Sequence, residues 1–287
     1  MLSYKGELAV VSRDNTLLCV NKIKIDEYLA SVISSELAPK APLEALKAQA
    51  VASRTFMLKN IRKHNAEGFD LCDSRTACCQ VYKGAWNYGE TVYSAVKESK
   101  GLILAYKNEP IEALFSSCCG GRTCGYEAVF PSQPALPYLT ARQDNDTNGK
   151  IWCANDRRFS WKRAFKNEIL EAVFTDPSPG QITVEKDSSG NILYLLKGGE
   201  KISVLFFRKG LAKLGFSGID SNLFEFKEEK DAYILKGNGF GHRMGMCQSG
   251  AVEMAKCGKT FREILSHYYN CTIIKEKAQF ARDFKEE

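Results

Sequence analysis

Apolar side chains recur at helical spacing along Ile25–Leu58, and this pattern predicts two helices separated by a short break. Asp26 is the expected N-cap of the first helix. Glu36 follows Leu29 by seven residues and Val32 by four, so it continues the apolar face of that helix. The sequence therefore predicts a carboxyl group that points toward the protein interior at the end of the first helix.

Two prolines mark the break, and two polar residues follow it. Pro39 disfavours a helical conformation in the residue before it, and Pro42 suits the first turn of the next helix. In that helix Gln49 shares a face with small alanines, and Arg54 lies on a neighbouring face. A carboxyl, an amide and a guanidinium from one helical pair make a reasonable polar site. From spacing alone, a Glu36 that only faces water at a helix end is an equally good interpretation.

The remaining pattern predicts hairpins and helices of the α+β class. Strand pairs are expected at Glu7–Ser12 with Leu17–Ile23 (around Asp14-Asn15), Leu102–Tyr106 with Ile111–Phe115, Gln181–Lys186 with Asn191–Lys197, and Leu223–Phe226 with Tyr233–Lys236. Further helices are expected at Glu90–Lys100, Trp161–Phe174, Ile202–Leu214, Gln248–Lys256 and Phe261–Tyr269. We expect a single unit over residues 1–287, with lobes at 1–155 and 156–287.

Composition adds limits on function. A chain of 287 residues can bury a substantial core. The net charge of +6 is spread along the sequence, which argues against a dedicated nucleic-acid surface. No apolar run reaches the ~20 residues of a membrane span, and no apolar leader precedes Tyr4. The sequence therefore predicts either a protein that stays inside the cell or one whose export segment has been removed.

The eleven cysteines do not fit a small disulfide scaffold, because their number is odd and the chain is long. Seven of them fall close together in three places: Cys72, Cys78 and Cys79; Cys118, Cys119 and Cys124; and Cys153. The scattered remainder are expected to behave as small buried hydrophobic residues.

The stretch Gly237–Gly250, GNGFGHRMGMCQSG, is rich in glycines that let the main chain approach a ligand closely. It lacks the Gly-Lys-Ser/Thr of a phosphate-binding loop and the βαβ context of a dinucleotide site. His242 and Gln248 would be presented on a tight scaffold at a helix start. A single loop histidine is more often structural, so a site role is the less common interpretation.

Five sequence blocks occur together in one order. They are Tyr28 with Glu36, Leu43–Phe56 (LEALKAQAVASRTF), Cys79–Gly84 (CQVYKG), Ala113–Thr123 (ALFSSCCGGRT) and Gly239–Ala255 (GFGHRMGMCQSGAVEMA). This combination resembles the SpoIID family, the sporulation stage II protein D lytic transglycosylases and the related amidase-enhancer domain. Each block is weak by itself, but together they extend from about residue 24 to 274 and are specific.

The resemblance implies two lobes around a glycan-binding cleft, peptidoglycan strands as the substrate and a cell-envelope location. Lytic members of the family cleave the MurNAc–GlcNAc bond without water and leave a 1,6-anhydro end. The catalytic glutamate of the family corresponds to Glu36. Substrate contacts are expected from Gln49, Arg54, Gln80, Ser116, Ser117, His242 and Gln248. A cell-wall amidase is a further candidate partner.

One carboxylate is enough for this reaction, because the C6 hydroxyl of the substrate takes the place of water. Glu36 would protonate the departing oxygen and then accept the C6 proton. Such a group must start protonated near neutrality, which requires desolvation to raise its pKa. A nearby guanidinium would oppose this, so Arg54 is assigned to substrate or scaffold contacts and not to an ion pair with Glu36.

The sequence departs from the family pattern in two places. The family has Met-Pro soon after the glutamate, where this chain has Leu37-Ala38-Pro39. In the family motif Gly-His-Gly-Val-Gly-Met-Ser-Gln, this chain replaces the central glycine by Arg243, the valine by Met244 and the serine by Cys247. Arg243 is expected to alter the backbone freedom of the loop and to add a charge beside His242.

Some members of the family hold zinc through cysteine and histidine, so the resemblance also suggests a structural zinc site. Its ligands would be Cys72, Cys79, Cys119 and Cys153, with Cys124 as a further candidate. A Cys72–Cys79 disulfide and free thiols are the alternatives. Catalysis by Glu36 requires no cofactor in any of these cases.

Two other functions stay open beside the lytic transglycosylase. One is a non-catalytic glycan-binding module that stimulates a partner amidase, against which the presence of Glu36 argues. The other is a structural envelope protein that uses the fold for assembly. Mass spectrometry of digested glycan distinguishes them, because only the first function produces anhydro-sugars.

Overall fold

The computed structural model describes residues 3–13, 15–73, 78–84, 88–176, 180–230, 232–270 and 272–276. The chain forms two compact units. The first contains Met1–Leu114, Met254–His267 and Cys271–Glu287, and the second contains Phe115–Glu253 and Tyr268–Asn270. The lobes expected at 1–155 and 156–287 stay a prediction, as does a glycan-binding cleft. Asp14, in the first predicted turn, lies outside the described residues.

The described residues form seven α-helices and thirteen strands, which confirms the mixed α+β class. The helices are α1 (Ile25–Glu36), α2 (Leu43–Asn60), α3 (Glu90–Glu98), α4 (Asn167–Glu171), α5 (Val204–Lys213), α6 (Gln248–Lys256) and α7 (Phe261–Tyr268). The strands are β1 (Glu7–Arg13), β2 (Thr16–Lys22), β3 (Leu102–Tyr106), β4 (Glu109–Pro110), β5 (Phe115–Ser116), β6 (Ser160–Lys166), β7 (Thr183–Lys186), β8 (Ile192–Lys197), β9 (Glu200–Ser203), β10 (Phe224–Glu229), β11 (Ala232–Asn238), β12 (Met246–Cys247) and β13 (Ile273–Glu276).

In the first unit, α2 is the central helix and packs against α1, α3 and β3. It is buried on nearly every side, because its many alanines let neighbouring elements approach its axis closely. The guanidinium of Arg54 donates to Ser99 O at 2.7 Å and to Leu102 O at 3.2 Å. Arg54 thereby ties the end of α3 and the start of β3 to the central helix.

Two small antiparallel sheets complete the first unit. β1 and β2 form the predicted N-terminal hairpin, with Arg13 paired to Thr16 next to the turn. β3 lies between β13 and β4 in a three-stranded sheet. The sheet places buried Ile103 against Met57 and Leu58 of α2. Strand β3 therefore joins the helical layer to the sheet.

The second unit contains three small sheets and its own hydrophobic core. Two are antiparallel, with strand orders β10-β11-β6 and β7-β8-β9, and the third pairs β5 with β12 in parallel. Buried side chains from both antiparallel sheets and from α5 form one cluster that includes Trp161, Phe165, Leu195, Phe207 and Tyr233. Because apolar side chains of both sheets and a helix share one interior, these short strands stabilise one another.

The helix predicted over Trp161–Phe174 is wrong in its first half. Ser160–Lys166 is strand β6, which pairs with β11, and only the short helix α4 follows it. Trp161 and Phe165 are both buried. Trp161 and Phe165 are four residues apart, so they would share one face of a helix. They would also share one face of a strand, because side chains on a strand alternate and four is an even number. Pairing with β11, which the sequence period does not reveal, decides between them.

The hairpin predicted from Leu102–Tyr106 and Ile111–Phe115 has a different second strand. β3 pairs with Glu109–Pro110, and the turn between them is formed by Lys107 and Asn108, with φ of 50° and 68°. Positive φ at both central residues is what a tight two-residue hairpin turn requires. The chain then continues irregularly until β5, which pairs with β12 instead.

Two helix starts also differ from expectation. α1 begins at Ile25 with Lys24 as its N-cap, so Asp26 lies within the first turn, where a carboxylate favours the positive end of the helix dipole. α5 begins at Val204, and the residues before it belong to strand β9. Ser203 caps this helix, because its Oγ accepts a hydrogen bond from Phe206 N at 3.2 Å.

Candidate functional site

Glu36 is the last residue of α1, and its side chain is half-buried. The helix ends there because Leu37 is extended, with φ −127° and ψ 144°, while its N–H still bonds to Ile33 O. The N–H of Val81 donates to Glu36 Oε1 at 3.0 Å. A main-chain N–H can only donate, so this bond favours Oε2 as the atom that carries a carboxyl proton.

Val81 is held by its neighbour Gln80, which is 3% exposed. Gln80 Nε2 donates to Ser53 O at 3.0 Å, and Gln49 Nε2 donates to Ser53 Oγ at 3.0 Å. The structure thus brings the predicted residues Gln49 and Gln80 together through Ser53, which the sequence pattern did not indicate. Gln49 is fully buried, so a direct substrate contact by its side chain stays a prediction that this packing does not support.

Arg54 takes the scaffold role, one of the two expected for it. Its side chain is 1% exposed and donates to main-chain carbonyls of the α3–β3 connection. Burial lowers the pKa of Arg54 to about 10, which still leaves it charged at neutral pH. A buried cation that satisfies carbonyl groups fixes the first unit, and substrate contact by Arg54 stays a prediction.

Tyr28 also lies on α1, and the sequence pattern assigned it no chemical role. Its ring stacks on Tyr82 with ring centroids 5.6 Å apart. Its Oη is buried with no hydrogen-bond partner among the described residues. Burial, and then the negative charges of Cys79 and Glu36, raise the pKa of Tyr28. A phenol with a raised pKa keeps its proton, so Tyr28 is uncharged at neutral pH.

Four side chains that can bind a metal gather between α2 and α3, and we call them the loop group: His64, Cys72, Cys78 and Cys79. Their ligand atoms all lie within 4.8 Å of one another. Cys78 Sγ is 3.0 Å from Cys72 Sγ and 3.3 Å from His64 Nε2. His64 Nδ1 bonds with Glu67 Oε1 at 2.6 Å, and this hydrogen bond raises the pKa of His64.

The loop group fits zinc, the metal that the family resemblance suggests. Three thiols and one imidazole are a common ligand set of closed tetrahedral zinc sites. The Glu67 carboxylate on the other ring nitrogen is the kind of outer partner that orients a zinc-binding histidine. Cys79 directly precedes Gln80 and Val81, so an ion bound here would fix the segment that hydrogen-bonds Glu36.

The four cysteines predicted to bind one zinc ion do not gather in one place. Cys72 and Cys79 belong to the loop group in the first unit, whereas Cys119 and Cys153 form a second group with Asp144 and another cysteine in the second unit. Cysteine spacing along the chain could not separate two groups that different folded units assemble. The histidine eight residues before Cys72 was the one sequence signal that could have completed the first group.

The remaining cysteine expectations have separate outcomes. Cys124 belongs to neither group, and its Sγ donates to His242 O at 3.2 Å. The ten cysteines in the described part of the chain form no disulfide, so the alternative Cys72–Cys79 bridge is not formed. Cys19 and Cys257 are exposed, which differs from the expected burial of scattered cysteines.

The glycine-rich loop of the second unit has a backbone that most residues avoid. Gly239 and Gly241 have φ of 87° and 107°, and Arg243 also has a positive φ, 64°. A Cβ on Gly239 would come within 2.8 Å of Cys118 O, so no larger residue fits there without movement. The glycines therefore permit both the turn and a close main-chain approach, as the sequence pattern indicated.

His242 is held as a neutral imidazole. Its Nδ1 accepts from Met244 N at 3.1 Å, which favours the tautomer with its proton on Nε2. Burial, and then the positive charge of Arg208, lower the pKa of His242 to about 4. His242 is therefore uncharged at neutral pH, and its ring also forms a hydrogen bond with the main chain of Phe115.

The guanidinium of Arg243 is buried and surrounded by acceptors. Its Nε donates to Cys119 O at 2.8 Å and its Nη2 to Arg122 O at 2.7 Å. Its Nη1 donates to Asn222 Oδ1 at 3.2 Å and also to Asn191 Oδ1. The side chain is 1% exposed. Arg243 thus ties the loop to the interior of the second unit, and its charge is not displayed at the surface.

The other predicted substrate contacts lie around the pairing of β5 with β12. Ser116 is 5% exposed, and its Oγ has no hydrogen-bond partner among the described residues. A Cβ on Gly241 would come within 3.2 Å of Ser116 Cβ, so the loop lies directly against this strand. Ser117 O accepts from Ser249 N at 3.1 Å, next to Gln248 at the start of α6. Substrate contact by these residues stays a prediction.

The second unit also carries a surface groove of about 670 Å³, lined among others by Trp161, Lys162, Lys186 and Lys236. None of the predicted site residues lines it. Its lysines could attract an anionic polymer, but Glu36 does not line it. We therefore place the candidate chemistry at Glu36 and not in this groove.

Comparison with known proteins covers nearly the whole chain. A family model described as stage II sporulation protein matches residues 13–106, which hold α1, α2 and the loop group. Stage II sporulation protein D of Bacillus amyloliquefaciens is 33% identical over 91% of this chain and 77% of its own length. Stage II sporulation protein D of Bacillus subtilis is also 33% identical, over 92% of this chain and 78% of its own length. The amidase enhancer of Bacillus subtilis is 26% identical over 86% of this chain but 40% of its own length.

The fold and site define a mixed α+β protein with a half-buried glutamate at a helix end and a glycine-rich histidine loop. Because one third of the residues are identical to those of two stage II sporulation D proteins over about nine-tenths of its length, the chain belongs to the SpoIID family. This confirms the resemblance carried by the five sequence blocks. No helix in the described part of the chain is both long and apolar enough to span a membrane.

Proposed function

We propose that the protein is a peptidoglycan lytic transglycosylase with Glu36 as its general acid and base. The observation that supports this most is the setting of Glu36 itself. The carboxyl lies half-buried at the end of α1, and a main-chain N–H holds Oε1 so that Oε2 is the favoured site of the proton. A single carboxyl group in a fixed orientation is what this reaction requires.

The reaction balances with one carboxyl group. Glu36 donates the proton from Oε2 to the glycosidic oxygen as the bond from that oxygen to C1 of MurNAc breaks. The C6 hydroxyl of the same sugar then bonds to C1, and its proton passes to the Glu36 carboxylate. The products are a 1,6-anhydro end and a free GlcNAc hydroxyl, and Glu36 is protonated again. Most glycosidases need a second carboxylate because water must be activated, which does not apply here.

The neighbours of Glu36 have positioning roles in this proposal. The chain of hydrogen bonds from Gln49 through Ser53 to Gln80 fixes Val81, and Val81 orients the carboxyl. A zinc ion, when bound by the loop group, would supply structural rigidity to the segment just before Gln80. The ring of Tyr28, stacked on Tyr82, would help to hold the segment after Val81 in place. Each of these residues acts on the geometry of the carboxyl or the sugar.

In the second unit, we propose that His242, Ser116, Ser117 and Gln248 contact the glycan. A neutral imidazole and the Ser116 hydroxyl are suited to the hydroxyl and amide groups of amino sugars. Glycan recognition needs many such uncharged hydrogen bonds. We also expect the protein to act in the cell envelope, where its substrate lies.

The test is digestion of purified glycan strands, with the products analysed by mass spectrometry. Wild-type protein is expected to release products with 1,6-anhydro ends. Glu36→Gln is expected to lower turnover by at least about 10²-fold, because removal of a general acid typically costs that much. Glu27→Gln, on the same helix but paired with Lys5 at 2.8 Å, is the matched control and should retain activity. Undiminished turnover by Glu36→Gln would refute the assignment.

A non-catalytic amidase enhancer is the second candidate, because the Bacillus subtilis amidase enhancer matches 86% of this chain. In that case the protein would bind glycan and stimulate a cell-wall amidase without cleaving the strand. Sedimentation with insoluble peptidoglycan and an amidase assay with and without the protein test this function. Binding and stimulation that survive Glu36→Gln, with no anhydro product from the wild type, would favour the enhancer.

A further inference from the structure

The second unit contains a closed cluster of ligand atoms, which we call the buried group: Cys119, Asp144, Cys153 and Cys247. Their ligand atoms all lie within 4.8 Å of one another, and all four residues are buried. Three polarisable thiols around one carboxyl are an unusual way to fill a protein interior, because an ionised carboxylate buried there needs compensating charge or hydrogen bonds.

The distances within the buried group suit a metal ion. Cys119 Sγ is 3.6 Å from Cys153 Sγ, too far for a disulfide. Two thiolates bound to the same tetrahedral zinc ion, with bonds of about 2.3 Å, have sulfurs about 3.8 Å apart. Asp144 Oδ2 is 3.0 Å from Cys119 Sγ, so the carboxyl points at the sulfurs. The four side chains therefore surround one common centre.

Groups around the ligands support the same assignment. Tyr268 Oη donates to Asp144 Oδ1 at 2.7 Å, which leaves Oδ2 directed at the sulfurs. The main-chain N–H groups of Cys119 and Gly250 donate to Cys247 Sγ at 3.2 and 3.3 Å. Such bonds stabilise a thiolate, the form that binds metals, and the Tyr268–Asp144 bond orients a ligating carboxylate.

We propose that Cys119, Asp144, Cys153 and Cys247 bind one structural Zn²⁺ ion, separate from any ion in the loop group. On binding, the three thiols release three protons, and the ion with three thiolates and one carboxylate carries a net charge of −2. Arg243, whose Nε donates to Cys119 O at 2.8 Å, is a buried cation adjacent to this charge. Four protein ligands close the site, so the ion has no open position for chemistry.

The ion would join three parts of the chain that lie far apart in sequence. Cys119 follows Ser116 and Ser117, Cys247 precedes Gln248, and Cys153 lies in an irregular stretch between them. A metal held here would fix the strand pair β5–β12 and the glycine-rich loop at the same time. It would also explain why a thiol, Cys247, stands where the family pattern has a serine. The proposal does not depend on which reaction the protein catalyses.

The first test is the zinc content of the full chain, measured by inductively coupled plasma mass spectrometry. The background is Cys72→Ser/Cys79→Ser, in which the loop group has lost two of its four ligands. This protein is expected to retain one zinc per chain, and addition of Cys153→Ser is expected to remove it. Addition of Cys124→Ser, another buried thiol of the same unit, is the matched control and should leave the zinc bound.

A second measurement keeps all four residues intact, in case the Cys153→Ser protein fails to fold. Co²⁺ added to zinc-free Cys72→Ser/Cys79→Ser protein is expected to give the sulfur-to-cobalt charge-transfer band and the intense visible bands of a tetrahedral thiolate site. Absence of zinc from the background protein, or absence of these bands, would overturn the proposal.

The identity of the oxygen ligand is tested in the same background. Asp144→Asn is expected to weaken zinc binding by at least about tenfold, since even outer-shell changes cost that much. The Cys118 thiol also bonds with Cys153 and Cys247, so Cys118→Ser is the necessary comparison. Retention of zinc in Cys118→Ser supports Asp144. Loss of zinc from Cys118→Ser, together with full retention of zinc in Asp144→Asn, would overturn Asp144 as the fourth ligand.

Discussion

The carboxyl of Glu36 and the imidazole of His242 are held in opposite ways. Glu36 is half-buried at a helix end, and its orienting partner, Val81 N–H, belongs to a segment next to the loop group. His242 lies in a loop that a fully buried guanidinium, Arg243, ties to four acceptors. The first arrangement orients a half-buried carboxyl, whereas the second stabilises an unusual backbone.

This difference suggests that the region around Glu36 carries the reaction and that the loop around His242 stabilises the fold. Changes around Glu36 should alter turnover while the protein stays folded, because the carboxyl is half-buried at the end of its helix. Changes around His242 should alter stability first, because the loop is built on buried polar contacts. Substitutions in each of the two regions test this division.

Arg243→Met is expected to lower the free energy of unfolding by about 3 kcal/mol or more. The substitution leaves Cys119 O, Arg122 O and two asparagine side chains without their buried donor, and each unpaired group costs about 1–3 kcal/mol. Urea unfolding monitored by tryptophan fluorescence measures the change. The exposed Arg157→Met is the control and should have an effect within about 0.5 kcal/mol. A stable Arg243→Met protein would mean that the loop does not depend on this cation.

His64→Ala is expected to lower turnover by about 10–100-fold with a smaller effect on stability. Loss of a ligand from the loop group releases the segment that positions Val81 against Glu36. Initial rates of anhydro-product release and zinc content are measured on the same preparation. The exposed neighbour Asn65→Ala is the control. Full activity in a His64→Ala protein that has lost zinc would show that the loop group does not position Glu36.

Val81→Pro is expected to lower turnover by about tenfold, because proline has no N–H to donate to Glu36 Oε1. Val81→Ala keeps the N–H and should retain most activity. Comparison of kcat for the two variants isolates the main-chain hydrogen bond from the side chain. Equal kcat values would show that this bond does not orient the carboxyl.

The smallest expected effect is the pH dependence that His242 contributes. Its pKa in the folded state, about 4, lies below the unfolded value of about 6.5, so folding favours the neutral form. The stabilisation is present above about pH 6.5 and is lost as the pH falls toward 4. We expect His242→Gln to lose less Tm between pH 7 and pH 4.5 than the wild type. Identical losses would mean that His242 already titrates normally in the folded protein.

Much of the first unit was predictable from sequence, because its elements are long and locally encoded. The periodicity of Ile25–Glu36 and the prolines after it are sufficient to predict α1 and α2, whereas the half-buried position of Glu36 was one of two equal interpretations of its spacing. Strand β6 was not predictable, because Trp161 and Phe165 satisfy both periods and only pairing with β11 decides. The same applies to β5, whose partner β12 lies more than a hundred residues away.

By itself, the sequence determined the family, the catalytic candidate and the glycine-rich loop, because each depends on residue types at short spacing. Only the tertiary structure decided which cysteines share a site, that Arg243 turns inward and that Val81 holds Glu36. These depend on contacts between distant parts of the chain, and local spacing carries no information about which parts of the chain meet.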